Sequence, residues 1–285
     1  MEAKFGPSGN SDIFYEQGYK SSLQMPQWLK EMGLDAYEYQ CSKGVNITEK
    51  TARQLGNHAR EHHIYMSVHA PYYINLASPE EEKRKKSIEY IIDTMVVANW
   101  MGAERVVVHP GSCSSISRKE AMELAKKTLK STIQQADELG LGHVHICPET
   151  LGKINQLGTL EEIMELCRLD DRLIPTIDFG HLYARGLGTL KTKEDFEAIF
   201  NMIENSLGQE RLKNFHSHFS RIEFTAGGEK RHWTYSHTQY GPEFLPIAEI
   251  IYERDLSPVI ICESRGTMAE DALTLKEIYK KVRTH

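Results

Sequence analysis

Short runs rich in β-branched and aromatic residues alternate eight times with long amphipathic runs along 285 residues, a pattern that predicts a (β/α)8 TIM barrel, read as a single α/β domain over 1–285. Two further observations point the same way. Six consecutive expected strands finish on an imidazole or a carboxylate, which suits a fold whose site gathers at the C-terminal ends of its strands. The glycine-rich phosphate turn of an open, doubly wound sheet is missing: there is no GxGxxG or Walker-type segment.

Strands are expected at Ala3–Gly6, Ala36–Gln40, Tyr65–Pro71, Arg105–Gly111, His143–Glu149, Ile174–Phe179, Asn214–Phe219 and Pro258–Glu263. Helices are expected over Met25–Met32, Thr48–His62, Pro79–Met101, Arg118–Leu139, Leu160–Arg168, Lys193–Leu207, Phe244–Arg254 and Ala269–Lys281. Several boundaries have a local cause. Thr48 offers a capping oxygen with Glu49 in the first turn, and the PEEE opening after Ser78 sets acids against a helix dipole. Gly140 is placed to end its helix in the left-handed region.

Composition narrows the partners. With 40% hydrophobic and 26% charged residues, a mean hydropathy of -0.47 and no apolar run of membrane-spanning length, no contact with a membrane is expected. The opening MEAKFGPSGNSD lacks the apolar stretch of a signal peptide, so a cytoplasmic protein is expected, and a monomer. Cys41, Cys113, Cys147, Cys167 and Cys262 are scattered, odd in number and never in a CxxC pair, which reads as reduced core thiols. The net charge of -6 is not the basic balance of a typical nucleic-acid binder, although a basic rim around an acidic pocket is invisible in a whole-chain sum.

The chemistry is concentrated at the strand ends. Strand three ends SVHAPYY with His69, strand four VVVHPG with His109, and strand five HICPET with Glu149. Strand six ends TIDFGH with Asp178 and His181, strand seven FHSHF with His216 and His218, and strand eight IICES with Glu263. Taken singly, such a His is a hydrogen-bonded structural residue and such an Asp a helix cap. Taken together on one rim they need a cation, because carboxylates in a barrel mouth are costly unless paired or metal-bound. Mixed imidazole and carboxylate ligands favour zinc, with manganese or iron as alternatives, over magnesium or calcium. There are more ligands than one ion needs, so at least two ions are expected, with Glu149 or another carboxylate bridging. Such a pair suits in-line displacement at phosphorus. Arg185, Arg221, Lys230, Arg231 and Arg265 fall in loops of the same face, where they are candidate phosphate contacts.

The segments SVHAPYYINL, VVVHPG, CPET, DFGH, FHSHFS and ICES resemble the endonuclease IV family of apurinic/apyrimidinic endonucleases, within the xylose-isomerase-like barrels, and the resemblance runs along essentially the whole chain. It implies two or three zinc ions per chain and cleavage of DNA 5′ to abasic sites, with Glu149 and Glu263 as catalytic carboxylates. His69 and His109 would hold a first ion, with Glu149 bridging to a second completed by Asp178, His216 and Glu263. His181 and His232 would hold a third. By the same resemblance the bridged pair generates a hydroxide nucleophile, the third ion stabilises the leaving oxygen, and Tyr72 binds substrate by probing the DNA stack at the lesion. This sequence departs from the family pattern in three places. Lys230 replaces the Asp usual two residues before the ligand matching His232. His216-Ser217-His218-Phe219 replaces HLND, and Gln40-Cys41-Ser42-Lys43-Gly44 replaces a basic, aromatic loop. At the third ion, Glu229 supplies the missing anion, or the site fills only with substrate phosphate, or Lys230 approaches the phosphate itself.

The rival reading is a sugar isomerase or epimerase of the same superfamily, in which Glu149, Asp178, His216 and Glu263 hold one divalent ion and two carboxylates move protons. His69 and His109 discriminate between the two, since a one-ion enzyme has no use for two further imidazoles at neighbouring strand ends.

Overall fold

The computed structural model describes residues 2–113 and 115–284. In chain order the first half contains β1 (Lys4–Pro7), α1 (Asp12–Glu16), α2 (Met25–Met32), β2 (Ala36–Gln40), α3 (Glu49–Glu61), β3 (Tyr65–His69), α4 (Glu81–Met101), β4 (Arg105–Val108), α5 (Arg118–Glu138) and β5 (His145–Pro148). The second half contains α6 (Leu160–Cys167), β6 (Thr176–Asp178), α7 (Phe179–Arg185), α8 (Lys193–Leu207), α9 (Gln209–Lys213), β7 (His216–Phe219), β8 (Arg221–Thr225), β9 (Gly228–Trp233), α10 (Leu245–Glu253), β10 (Val259–Cys262) and α11 (Met268–Thr284).

Eight of these strands are parallel and pair as two sheets, β1–β10–β7–β6 and β2–β3–β4–β5. Two isolated parallel bridges, Ser8 to Glu38 and Glu149 to Thr176, join the sheets on both sides and close the ring. The chain is therefore a TIM barrel, as its alternation predicts.

β2 has its expected bounds and β1 its expected length, but the other strands are shorter than expected. β4 stops at Val108 rather than Gly111 because Pro110 has no amide to give the ladder. β5, β6 and β7 each begin later than expected, after His143–Val144, Ile174–Pro175 and Asn214–Phe215 respectively. Apart from β3 and β4, which stop before Pro71 and Gly111, the C-terminal ends move by at most one residue, and the expected rim residues stay at or just past the strand ends.

Period-two alternation sorts the wall into two faces. Phe5, Tyr37, Met66, Val68, Val106, Val108, Ile146, Ile177, Phe219, Ile260 and Cys262 point outward and join the apolar layer beneath the helices. The register pairs the other face with itself: Gly6 with Ile261, Glu38 with Ser67, Val107 with Cys147, and Asp178 with His218. This inner face is apolar at the bottom, where Ala36, Val259 and Ile261 cluster with Tyr65, and polar at the top. At Gly6 a Cβ would lie 1.8 Å from the carbonyl oxygen of Ala36, so only glycine lets β1 approach β2 closely enough there.

The hairpin β8–β9 has no counterpart in the expected element list, which leaves the stretch after the seventh strand as loop. It forms because Arg221–Thr225 and Gly228–Trp233 are two short extended runs separated by Ala226–Gly227, and it folds back as an antiparallel pair. An isolated bridge between Lys153 and Gly228 pins it to the loop after β5. Gly228 has φ +89 there, and a Cβ would meet the Gly152 carbonyl oxygen at 2.2 Å. That close approach carries the next residue, Glu229, into the barrel mouth.

Candidate metal centre

The last inward position of each strand defines the rim. β3 supplies His69; the residues following β4, β5 and β10 supply His109, Glu149 and Glu263; β6 supplies Asp178; β7 supplies His218. Glu149, Asp178, His216 and His218 are fully buried, and His69 is nearly so.

The structure sets one member of the expected set apart from the others. His216 does not join Glu149, Asp178 and Glu263; it lies one inward step deeper, where its Nε2–H donates to Glu38 Oε2 at 2.9 Å. His218 takes its place, with Nδ1 2.9 Å from Glu149 Oε1 and 3.5 Å from Glu263 Oε1. Both histidines face inward because they are two residues apart, and the strand runs on to Phe219, which leaves His218 on top. Finding the end of the strand, rather than its first histidine, is the sequence signal that separates them.

Glu149 sits at the centre, with partners on both oxygens. Oε1 accepts from His218, while Oε2 lies 2.9 Å from His109 Nε2 and 3.4 Å from His69 Nε2. The Oε2 contacts lack hydrogen-bond geometry, so this buried oxygen has no hydrogen-bond partner, and neither has Asp178 Oδ2. Among the described residues no Lys or Arg pairs with Glu149, Asp178, Glu229 or Glu263; their ion-pair partners are imidazoles. Burial raises the Asp178 carboxyl, reinforced by Glu263 and Glu149. Burial would raise Glu149 too, but His218 and His109 hold it well below the usual carboxylate range. Orphaned buried carboxylate oxygens that converge with imidazole nitrogens are the donor set a divalent cation requires. Five groups among the described residues have ligand atoms mutually within 4.8 Å: His69, His109 and Glu149; Glu149, Asp178, His218 and Glu263; His181, His232 and Glu263; and two that overlap these, His69, His218 and Glu263 and, one step deeper, Glu38, His216 and His218. Glu149 belongs to two of them.

Tautomers are set from outside the cluster. The Nδ1–H of His69 donates to the Ala70 carbonyl at 2.7 Å and that of His181 to the Thr150 carbonyl at 2.9 Å, and a carbonyl can only accept. Both rings therefore present Nε2 to the mouth. His232 Nδ1 pairs with Ser220 Oγ at 2.8 Å, which leaves its Nε2 facing the mouth as well. Asp178 is also the cap of α7, accepting from the His181 amide at 2.7 Å through Oδ1 while Oδ2 stays free for the cluster.

At the third set Glu229 lies 3.4 Å from His181 Nε2 and 3.6 Å from His232 Nε2. Burial opposes its ionisation, yet His181 and His232 draw its carboxyl down to about 2. Lys230 points away and pairs with Glu223 Oε1 at 2.5 Å.

These groups line a cavity of about 300 Å³ bounded by His69, Tyr72, His109, His181, Glu229 and Glu263. Tyr72 stands at its lip, 60% exposed. A second hollow of about 390 Å³ shares His232 and Glu263 and adds Arg231 and Arg265. Of the five cations expected to contact phosphate, three are engaged elsewhere. Arg185 donates to the carbonyls of Leu151, Lys153, Ile154 and Gln156; Arg221 binds the Tyr235 and Tyr240 carbonyls and Glu243; Lys230 has Glu223. Arg231 and Arg265 remain open to the hollow.

Arg185 is thus a staple for the loop that forms one side of the mouth. Arg185→Ala is expected to destabilise the protein by about 2–3 kcal/mol, since charged hydrogen bonds to carbonyls are each worth roughly 1.5 kcal/mol or more and are partly replaced by water. A thermal melt checks this; an unchanged Tm would mean that the loop is held by Arg118, which also donates to the Ile154 and Gln156 carbonyls.

The model of the xylose isomerase-like TIM barrel family matches residues 26–280. The chain belongs to that family. Within it, an uncharacterised protein of Methanocaldococcus jannaschii is 34% identical over 254 residues, covering 89% of this chain and 90% of that one. A probable endonuclease 4 of Aquifex aeolicus is 32% identical over 167 residues, a match that spans 57% of each chain. The crystal structure of a D-tagatose 3-epimerase-like protein superposes with a TM-score of 0.73 at 23% identity, covering 99% of this chain and 97% of that one. This xylose isomerase-like barrel is therefore a divergent relative of endonuclease IV proteins that shares its fold with epimerases. No helix among its described residues is long and apolar enough to cross a membrane.

Proposed function

We propose that the chain is a zinc-dependent phosphodiester hydrolase that cleaves DNA 5′ to abasic sites. The observation that carries this reading is the double engagement of Glu149, with His218 on one oxygen and His69 and His109 on the other. A carboxylate with ligand sets on both sides serves more than one ion. Bound there, zinc would supply Lewis acidity toward a phosphodiester and a water nucleophile at neutral pH. The chain's own residues supply the rest. Tyr72 offers an exposed ring for stacking at the lip, and Arg231 and Arg265 offer guanidinium groups to phosphate oxygens beside the third set. Glu149 is sealed from solvent, whereas Glu263 opens to both hollows and is the carboxylate that meets substrate.

The epimerase reading is favoured by one observation: Glu149, Asp178, His218 and Glu263 form a complete four-ligand set without help from His69 or His109. The two readings separate in one assay. Zinc-loaded protein is expected to incise a duplex carrying one abasic residue on its 5′ side, leaving a 3′-hydroxyl, and to leave ketohexoses unchanged. Epimerised ketose with intact DNA would overturn the proposal.

A further inference from the structure

β1 and β2 bring no ligand to the rim, yet their inward residues are polar and linked to one another. Glu38 of β2 is fully buried and engaged on both oxygens. Oε2 accepts from Ser67 Oγ at 2.8 Å and from His216 Nε2 at 2.9 Å, while Oε1 faces His218 Nε2 at 2.9 Å. Gln40, one inward step above, donates from Nε2 to Ser8 Oγ at 2.6 Å and to Glu38 Oε1 at 3.3 Å. Ser8, just past β1, donates in turn to Glu263 Oε1 at 3.2 Å. One chain of contacts therefore runs from Glu38 directly to His218 and, through Gln40 and Ser8, to Glu263. Those two side chains belong to the set with Glu149 and Asp178 and also fall within reach of His69, but neither is part of the set of His69, His109 and Glu149.

We infer that Glu38 is a positioning residue for the ion held by Glu149, Asp178, His218 and Glu263, acting on His218 by its charge and on Glu263 through Gln40 and Ser8. With a cation at Nδ1 the ring proton sits on Nε2, and the Glu38 carboxylate 2.9 Å behind it makes Nδ1 a stronger donor to the cation and fixes the direction in which it points. His216 has a different part. It shares Glu38 from below and keeps the carboxylate from turning away, and its own Nδ1 is buried without a partner. The inference rests on the metal-site half of the proposed function and is independent of the DNA substrate.

The test is a titration of metal-free protein with Co²⁺, followed by ligand-field absorbance and by heat, in wild type, Glu38→Gln and Ser8→Ala. Glu38→Gln keeps the shape and removes the charge. It is expected to weaken one binding step roughly ten- to a hundredfold while the other steps keep their wild-type affinity. Ser8→Ala is expected to weaken the same step several-fold with no change in the melting of the metal-free protein. A purely structural role would lower the Tm without shifting one step selectively. Wild-type affinity at every step, or equal weakening of all steps, would overturn the inference. Should Glu38→Gln fail to fold, Ser8→Ala decides, and an unshifted step overturns it. A chain that binds a single ion uses the same four side chains, so the same shift is expected. Failure to cleave abasic DNA would refute the proposed function and leave this prediction standing.

Discussion

Glu149→Gln is expected to lower incision of abasic DNA by roughly a thousandfold or more while the protein stays folded, because the amide keeps the shape of the side chain and loses the charge that both ligand sets share. The side chain is 1% exposed, so solvent cannot replace what is lost. Its two oxygens cannot both be conserved by an amide: one position becomes an N–H donor aimed either at His218 or at the pair His69 and His109. Ions held on both sides would lose an anion at once, so the effect should exceed that of removing any single imidazole. Incision kinetics with circular dichroism on the same samples check it. Incision at the wild-type rate would mean that Glu149 bridges nothing.

Glu229→Ala is expected to cost one ion per chain and at least a hundredfold in incision, leaving the remaining ions in place. Without it, His181 and His232 have only the Glu263 carboxylate, which the set of Glu149, Asp178 and His218 also uses, and a site that shares its one anion is weak. Glu229 reaches them because Gly228 and Gly152 let the hairpin dock tightly, and its amide donates to the Gly152 carbonyl at 3.1 Å. Lys230, tied to Glu223, is expected to be dispensable by comparison. Elemental analysis of the variant checks this account. Unchanged stoichiometry with activity retained would rule out Glu229 as a ligand and return Glu263 to that role.

How much of this was legible before the fold was known depends on the range of the signal. The barrel was visible because strand and helix periods alternate locally, and each rim residue could be read as the last word of its strand. The choice between His216 and His218 was not, since two inward residues of one strand carry the same pattern and differ only in where the ladder stops. Glu38 was invisible for another reason. Its role depends on residues 178 and 180 positions away in sequence, brought near by barrel closure at Ser8 and Glu38. Arg185 and Arg221 resembled phosphate contacts because a guanidinium on the catalytic face looks the same whether it meets substrate or the backbone carbonyls of its own loops. Glu229 could be named as an alternative to Lys230, but only the docked hairpin shows which of the two neighbours turns inward.

The most direct test of the central claim is a count of metal ions per chain in protein purified with zinc, repeated on the double variant His69→Ala, His109→Ala. At least two ions are expected in the wild type, three at saturating zinc, and one fewer in the double variant. A single ion per chain that survives the loss of both histidines would contradict it, because His69 and His109 would then hold nothing and Glu149 would serve one ion only.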